Sequence, residues 1–274
     1  MATIQTDIQE YFRPCVREMH GYVPGEQPRD RTYVKLNTNE NPYPPSPAVA
    51  EALCACDPAA LTRYPDPVAD DVRRAAADLC GVELDQVIAG NGSDDILTLC
   101  VRAFVDQDGC IATIDPTYSL YTVLAQIQDA QLRAIALAPD FSLPDSLAQD
   151  AAGADLLFLP CPNAPSGNLF DDHRLRQLCE HFDGMILLDE AYVDFAARDQ
   201  LALVAAYDNV IVSRTLSKSY SLAGIRLGYA VSRAETIAGL MKVKDSYNVN
   251  ALTQRLGAAA LRDQGHLRAN IDRV

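Results

Sequence analysis

The sequence predicts an α/β fold, a mostly parallel sheet with helices on both faces. Seven short apolar runs recur at 87–89, 111–114, 132–137, 156–159, 185–188, 210–212 and 227–231. Most are continuous rather than alternating, the pattern of strands buried on both sides. Between them lie stretches with helical periodicity at 94–104, 119–127, 173–182 and 201–207. Strand and helix therefore alternate, as crossover connections require.

Taken in order, residues 1–47 are polar and rich in proline, with Pro42, Pro44, Pro45 and Pro47 closely spaced. This reads as an extended arm. A helix is expected over 66–80, where Val68, Val72, Ala76 and Leu79 share a face and Gly81 provides a stop. The α/β body occupies 48–250. Beyond it, 253–262 is amphipathic and a further helix begins at His266 after Gly265, with no stop signal before Val274. No internal repeat or low-complexity tract interrupts the chain.

Composition narrows the function. At 274 residues and 49% hydrophobic the chain buries a sizeable core. The net charge of -14 argues against nucleic acid or an anionic membrane as partner, while leaving room for an anionic substrate in a local arginine-lined pocket. Eight cysteines contain no Cys-x-x-Cys pair, which points to reduced thiols in the cytoplasm and to neither a zinc site nor a disulfide framework. Met1 to Glu10 lacks the basic and apolar segments of a signal peptide, and no apolar run approaches membrane-spanning length.

The chemistry concentrates in Ser213-Arg214-Thr215-Leu216-Ser217-Lys218-Ser219-Tyr220-Ser221-Leu222-Ala223-Gly224-Ile225-Arg226-Leu227-Gly228. A strand runs into a loop crowded with hydroxyls, with Lys218 between two serines and Arg226 downstream. Taken by itself Lys218 has two readings, a solvated lysine at a strand end and an amine that forms a Schiff base beside a bound phosphate. Gly90-Asn91-Gly92-Ser93-Asp94-Asp95 follows a strand and opens a helix. It is either an anion site built on free helix amides or a tight turn capped by Ser93 or Asp94. Asp189 closes an apolar strand, at the edge where α/β proteins bind ligands.

Together these motifs resemble fold-type I aminotransferases dependent on pyridoxal 5′-phosphate (PLP), and most of all the histidinol-phosphate aminotransferases. The segments Leu36-Asn37-Thr38-Asn39-Glu40-Asn41-Pro42, Arg63-Tyr64-Pro65-Asp66 and Lys242-Val243-Lys244-Asp245-Ser246-Tyr247-Asn248-Val249-Asn250 extend the likeness over roughly residues 20–260. The resemblance implies the large domain of that fold and a PLP carried covalently by Lys218, which also moves the substrate proton. It implies that Gly92, Ser93, Asp94, Ser217 and Arg226 hold the cofactor phosphate, that Tyr118 stacks on the ring, and that Asp189 pairs with the ring nitrogen. A charge pair at about 4 Å and an effective dielectric of ~20 attracts by ~4 kcal/mol before desolvation. Tyr192 resembles the tyrosine that bonds the ring oxygen. The asparagine sharing that role is replaced by Ala164 in Pro162-Asn163-Ala164-Pro165-Ser166-Gly167. Either Asn163 substitutes for it or Tyr192 acts alone.

The resemblance further implies a homodimer in which Tyr64 reaches the neighbour's cofactor. It places Tyr22 and Asn37 at the substrate, and the substrates are histidinol phosphate and 2-oxoglutarate, giving glutamate. Aromatic aminotransferases and threonine-phosphate decarboxylase share the arm and the lysine loop, and a non-catalytic fragment is the alternative of another class. The family's C-terminal small domain, with the arginine for a substrate carboxylate, has no counterpart in this sequence. Residues 251–274 are therefore expected to be the start of a truncated small domain, with a frayed terminal helix as the other reading.

Overall fold

The computed structural model describes residues 8–23, 25–26 and 34–274. Parts of the expected arm, at 1–7, 24 and 27–33, lie outside the described residues, as does most of the Met1 to Glu10 segment. In chain order the elements begin with α1 (Pro14–Glu18), α2 (Pro47–Cys54), α3 (Asp70–Cys80), β1 (Val87–Gly90) and α4 (Ser93–Phe104). Next come β2 (Cys110–Asp115), α5 (Leu120–Gln128), β3 (Gln131–Ala136), α6 (Leu147–Asp150) and β4 (Leu156–Pro160). Then follow α7 (Asp172–His181), β5 (Met185–Asp189), α8 (Leu201–Ala206), β6 (Val210–Thr215) and β7 (Gly228–Val231). The chain closes with α9 (Ala234–Val243), α10 (Ala251–Arg262) and α11 (Gln264–Arg273).

All seven apolar runs form strands of one sheet, ordered β1-β7-β6-β5-β4-β2-β3. Pairings among β6, β5, β4, β2 and β3 are parallel. Strand β7 is antiparallel to both β1 and β6, so it alone runs against the other six. Successive strand residues feed opposite faces. Leu156 and Phe158 join one apolar cluster with α4, α5 and α9 residues such as Ile96, Leu124 and Leu240. Leu157 and Leu159 join the other, with α3, α7, α8 and α10 residues such as Val72, Leu175, Leu203 and Leu261. Both faces are dry, which is why the strands read as unbroken apolar runs.

Three local expectations change. The arm is not wholly extended: Ile8–Tyr11 forms a 3-10 turn and α1 follows. The proline cluster also hid α2, because Pro47 occupies its first turn and the Ser46 hydroxyl accepts a hydrogen bond from the Ala48 amide at 3.0 Å. Helix α3 starts at Asp70 rather than Asp66. Ala69 is left-handed (φ 55°), and the Asp66 carboxylate takes the amides of Val68 and Asp70 instead, leaving Val68 outside the helix.

At the other end α10 packs on α2 and α3, with Leu256 and Leu261 in the same cluster as the sheet. Helix α11 returns to the arm, where the side chains of His266 and Asn270 both meet the Pro44 carbonyl. Among the described residues no helix is long and apolar enough to cross a membrane.

Candidate active site

Strands β2, β4, β5 and β6 run in parallel, so the loops after them open on one edge of the sheet. A cavity of about 450 Å³ lies there, within the usual size of a small-molecule site. Lys218 enters it from the loop after β6. Its Nζ donates to the Thr38 carbonyl at 2.9 Å and lies 5.5 Å from the centre of the Tyr192 ring. The loop is fixed from three sides. The Ser221 amide donates to the Lys218 carbonyl at 3.2 Å, Asn41 Nδ2 donates to the Ser219 carbonyl at 3.1 Å, and the Ser219 hydroxyl bonds the Asp194 carboxylate.

One end of the cavity is built for an anion. Neither Ser93 nor Asp94 caps α4. Gly92 is the cap residue, at φ 85°, and no side chain covers the first helix amides. The positive φ favours glycine there, and the absent side chain leaves room for a neighbour. A Cβ on Gly92 would sit 2.7 Å from the Arg226 guanidinium, which lies over this turn. Arg226 Nη1 donates to the Ser217 hydroxyl at 3.3 Å, and Nη2 meets the Asp94 carboxylate at 3.1 Å. The Thr215 hydroxyl donates to Ser217 Oγ at 3.0 Å. Gly228 opens β7 without a side chain, since a Cβ would come 2.5 Å from the Ser93 nitrogen. Helix amides, hydroxyls and a guanidinium thus gather around one small volume, the donor set of a phosphate site.

The far wall carries a buried carboxylate. Asp189 is 4% exposed at the end of β5. Its Oδ2 accepts from the Tyr121 hydroxyl at 2.9 Å, and its Oδ1 accepts from the Ala191 amide at 3.1 Å and Ser213 Oγ at 3.4 Å. Burial pushes its carboxyl up to about 6, against the pull of the Tyr121 hydrogen bond. Tyr118 stands edge-on to Tyr121, ring centres 5.6 Å apart, and edge-on to Tyr22 at 6.3 Å. Tyr192 Oη accepts from Asn39 Nδ2 at 2.9 Å.

The expected site residues Lys218, Ser217, Arg226, Ser93, Asp94, Asp189, Tyr192, Tyr118, Tyr22 and Asn37 all line this cavity. Gly92 borders it through Arg226. Two others do not join them. Asn163 is 1% exposed and its side chain is spent joining its own loop to the loop after β2. Its Nδ2 donates to the Pro116 carbonyl at 3.1 Å and to Ser166 Oγ at 2.6 Å, and its Oδ1 accepts from Thr117 at 3.3 Å. It is Ala164 that faces the cavity. A substitution of Asn163 for the asparagine lost at Ala164 is therefore set aside. Tyr64 is 81% exposed and stacks on Tyr247 at 4.5 Å, away from the cavity of its own chain.

Sequence reasoning missed Tyr121, Asn39, Thr38 and Thr215. A second tyrosine three residues after Tyr118, one helical turn along, was the available signal for Tyr121. Thr38 contributes through its backbone carbonyl, which no residue type announces.

These residues fit PLP. A phosphate matches the cup under Arg226, a ring matches the space beside Tyr118 and Tyr192, and a basic ring nitrogen matches Asp189. The lysine amine lies in the same cavity.

The sequence family described as aminotransferase class I and II matches residues 31–274. The histidinol-phosphate aminotransferase of Synechocystis sp. is 48% identical over 253 residues, 92% of this chain and 72% of the relative. That of Geotalea daltonii is 45% identical over 96% of this chain and 76% of the relative. A crystal structure of histidinol-phosphate aminotransferase from Sinorhizobium meliloti in complex with pyridoxal-5′-phosphate superposes with a TM-score of 0.80 at 27% identity, covering 85% of this chain and 65% of that one. The chain thus spans about two thirds to three quarters of the length of the proteins it matches, and it belongs to the class I and II aminotransferase family.

Proposed function

We propose that this chain forms the cofactor-binding part of a histidinol-phosphate aminotransferase, moving an amino group between histidinol phosphate and 2-oxoglutarate through PLP. The observation that carries the reading is the placement of Lys218 in one cavity with the Arg226 cup and the buried Asp189. When bound, PLP supplies an electron sink for the pair left when the substrate's Cα–H bond breaks.

The chain's residues supply the rest. Lys218 is the covalent carrier and, once displaced by the substrate amine, the base that takes the Cα proton and the acid that returns one. Amides at Ser93 and Asp94, the Ser217 hydroxyl and Arg226 fix the phosphate, and Gly92, whose own amide donates to the Gly90 carbonyl at 2.9 Å, leaves room for it. Asp189 keeps a proton on the ring nitrogen. Tyr192, whose hydroxyl already accepts from Asn39, is left with its own proton to donate to the ring oxygen. With the Asn163 side chain committed to Pro116, Thr117 and Ser166, Tyr192 serves that oxygen alone. Tyr118 covers the ring, and Tyr22 and Asn37 border the space for substrate.

The family likeness and the exposed Tyr64 support a homodimer in which Tyr64 completes the neighbouring site. Eight cysteines without a disulfide support a cytoplasmic location. The test is reduction of the PLP-loaded protein with borohydride, followed by peptide mapping. The pyridoxyl group is expected on Lys218, and finding it on Lys242 or Lys244 would sink the assignment. Absorbance changes on adding histidinol phosphate, compared with phenylalanine and aspartate, then rank the amino donors.

A further inference from the structure

Among the described residues, Tyr121 is the one ionisable side chain lining the cavity that the proposed function leaves without a task. It is fully buried on α5, its ring stacked on Phe158 at 4.7 Å and 16°, so its position is set by packing on the sheet. Its hydroxyl reaches one acceptor, Asp189 Oδ2, at 2.9 Å. The other oxygen of Asp189 is taken by the Ala191 amide and, at a longer 3.4 Å, by Ser213.

We propose that Tyr121 is a positioning residue, whose hydroxyl holds the Asp189 carboxylate ionised and in a single rotamer facing the cofactor ring. The proposal rests on the PLP reading of this cavity. A carboxylate at 4% exposure tends to take up a proton and become neutral. A neutral carboxylic acid has an O–H of its own and turns it to the nearest acceptor. A donor fixed by aromatic stacking favours the charged form, since a phenol gives a stronger hydrogen bond to a carboxylate than to an acid.

The charged surroundings of Asp189 do not do this instead. Asp94, from the start of α4, repels the negative form. Lys218 and Arg226 line the same cavity from the loop after β6, but their nearest partners are Thr38, Asp94 and Ser217. Glu190, next along the chain, is turned to Arg214 at 2.8 Å. Tyr118 faces Tyr121 and Tyr22 rather than the carboxylate. Tyr121 is the strongest hydrogen-bonding influence favouring the ionised form.

The experiment uses Tyr121→Phe, which keeps the ring stack and removes only the hydroxyl, with Ser213→Ala as the weaker-contact comparison. In cofactor-free protein the Asp189 carboxyl is titrated by NMR of 13C-labelled aspartate, with Asp189→Asn giving the assignment. Tyr121→Phe should raise the midpoint by about one unit, a tenfold change in proton affinity, and Ser213→Ala by clearly less. In the unchanged chain, the Tyr121 Cζ resonance should titrate with the same midpoint as Asp189, a readout that does not depend on the variant folding. An unmoved midpoint in Tyr121→Phe, or a Tyr121 resonance indifferent to Asp189, would overturn the proposal. Because these measurements need no cofactor, they stand apart from failure of PLP to bind. The link to the cofactor is read separately, from the nitrogen shift of ring-15N PLP bound to parent and variant. Less proton density on that nitrogen is expected in Tyr121→Phe, and an identical shift would overturn the cofactor-facing half of the proposal.

Discussion

At Asp189 folding and chemistry pull against each other. Burial raises its carboxyl from an ordinary 3.8 to about 6, and in the proposed function a cofactor ring nitrogen offsets that burial. The sign follows from linkage. A folded-state value above the unfolded one means a contribution fully present below about 4 and lost as pH rises through about 6. Cofactor-free parent protein is therefore expected to lose about 3 kcal/mol relative to Asp189→Asn across that window, from roughly two units at ~1.4 kcal/mol each. Urea midpoints of both proteins at pH 4 and pH 7 measure it, and parallel pH profiles would refute it. Activity should move oppositely. Without a charge to keep the ring nitrogen protonated, Asp189→Asn should lose on the order of 100- to 1000-fold in turnover, as expected for an attraction of ~4 kcal/mol at ~4 Å.

The junction of β1, α4 and β7 shows how elements rather than single residues make the anion cup. Gly92 and Gly228 let three backbones and the Arg226 guanidinium converge where a Cβ would obstruct. Gly92→Ala would place a methyl against Arg226 on a backbone at φ 85°, costing about 1–2 kcal/mol of stability. It should also weaken PLP binding about 10- to 100-fold by displacing a charge-assisted contact. Binding of pyridoxal, which lacks the phosphate, should hardly change. A fluorescence titration with both ligands separates the two effects, and equal losses would show that the cup does not hold phosphate.

This junction also marks what the sequence made legible. The Gly90-Asn91-Gly92 turn, the strand before it and the helix after it were all readable from local pattern, as were all seven strands. Its cap was left open between free helix amides and Ser93 or Asp94, because both are good capping residues and only the backbone at Gly92 shows that neither serves. Asn163 was left open for a similar reason. Likeness offered its amide a role beside Tyr192, while its partners, Pro116, Thr117 and Ser166, are set by tertiary folding of two loops. The lone reversed strand, β7, was equally invisible. Its apolar run is buried on both faces like its parallel neighbours, and direction leaves no trace in such a pattern.

At the scale of the whole molecule, the exposed apolar side chains are unevenly placed. Many fall before residue 65: Tyr11 is 74% exposed, Leu36 80%, Leu61 55% and Tyr64 81%. A protein of charge -14 is not short of polar residues to place there. Tyr64 stacks on Tyr247, in the 244–250 segment that joins α9 to α10, so its ring is aimed by packing while the residue stays 81% exposed. That arrangement suits a hydroxyl that acts on a second copy of the chain. If it reaches the neighbour's phosphate cup, Tyr64→Phe and Lys218→Ala damage different halves of each site. A Tyr64→Phe homodimer lacks the hydroxyl at both sites, and a Lys218→Ala homodimer lacks the amine at both. In a mixed dimer, one site takes Lys218 from the Tyr64→Phe chain and Tyr64 from the Lys218→Ala chain, and is intact. Its partner site carries both defects. Co-refolding the two variants at equal amounts gives half mixed dimers, each with one intact site, so about a quarter of parent activity should return. The optimum should lie near equal proportions. Activity that follows only the amount of Tyr64→Phe chain, with no maximum in between, would show that Tyr64 serves its own site or none.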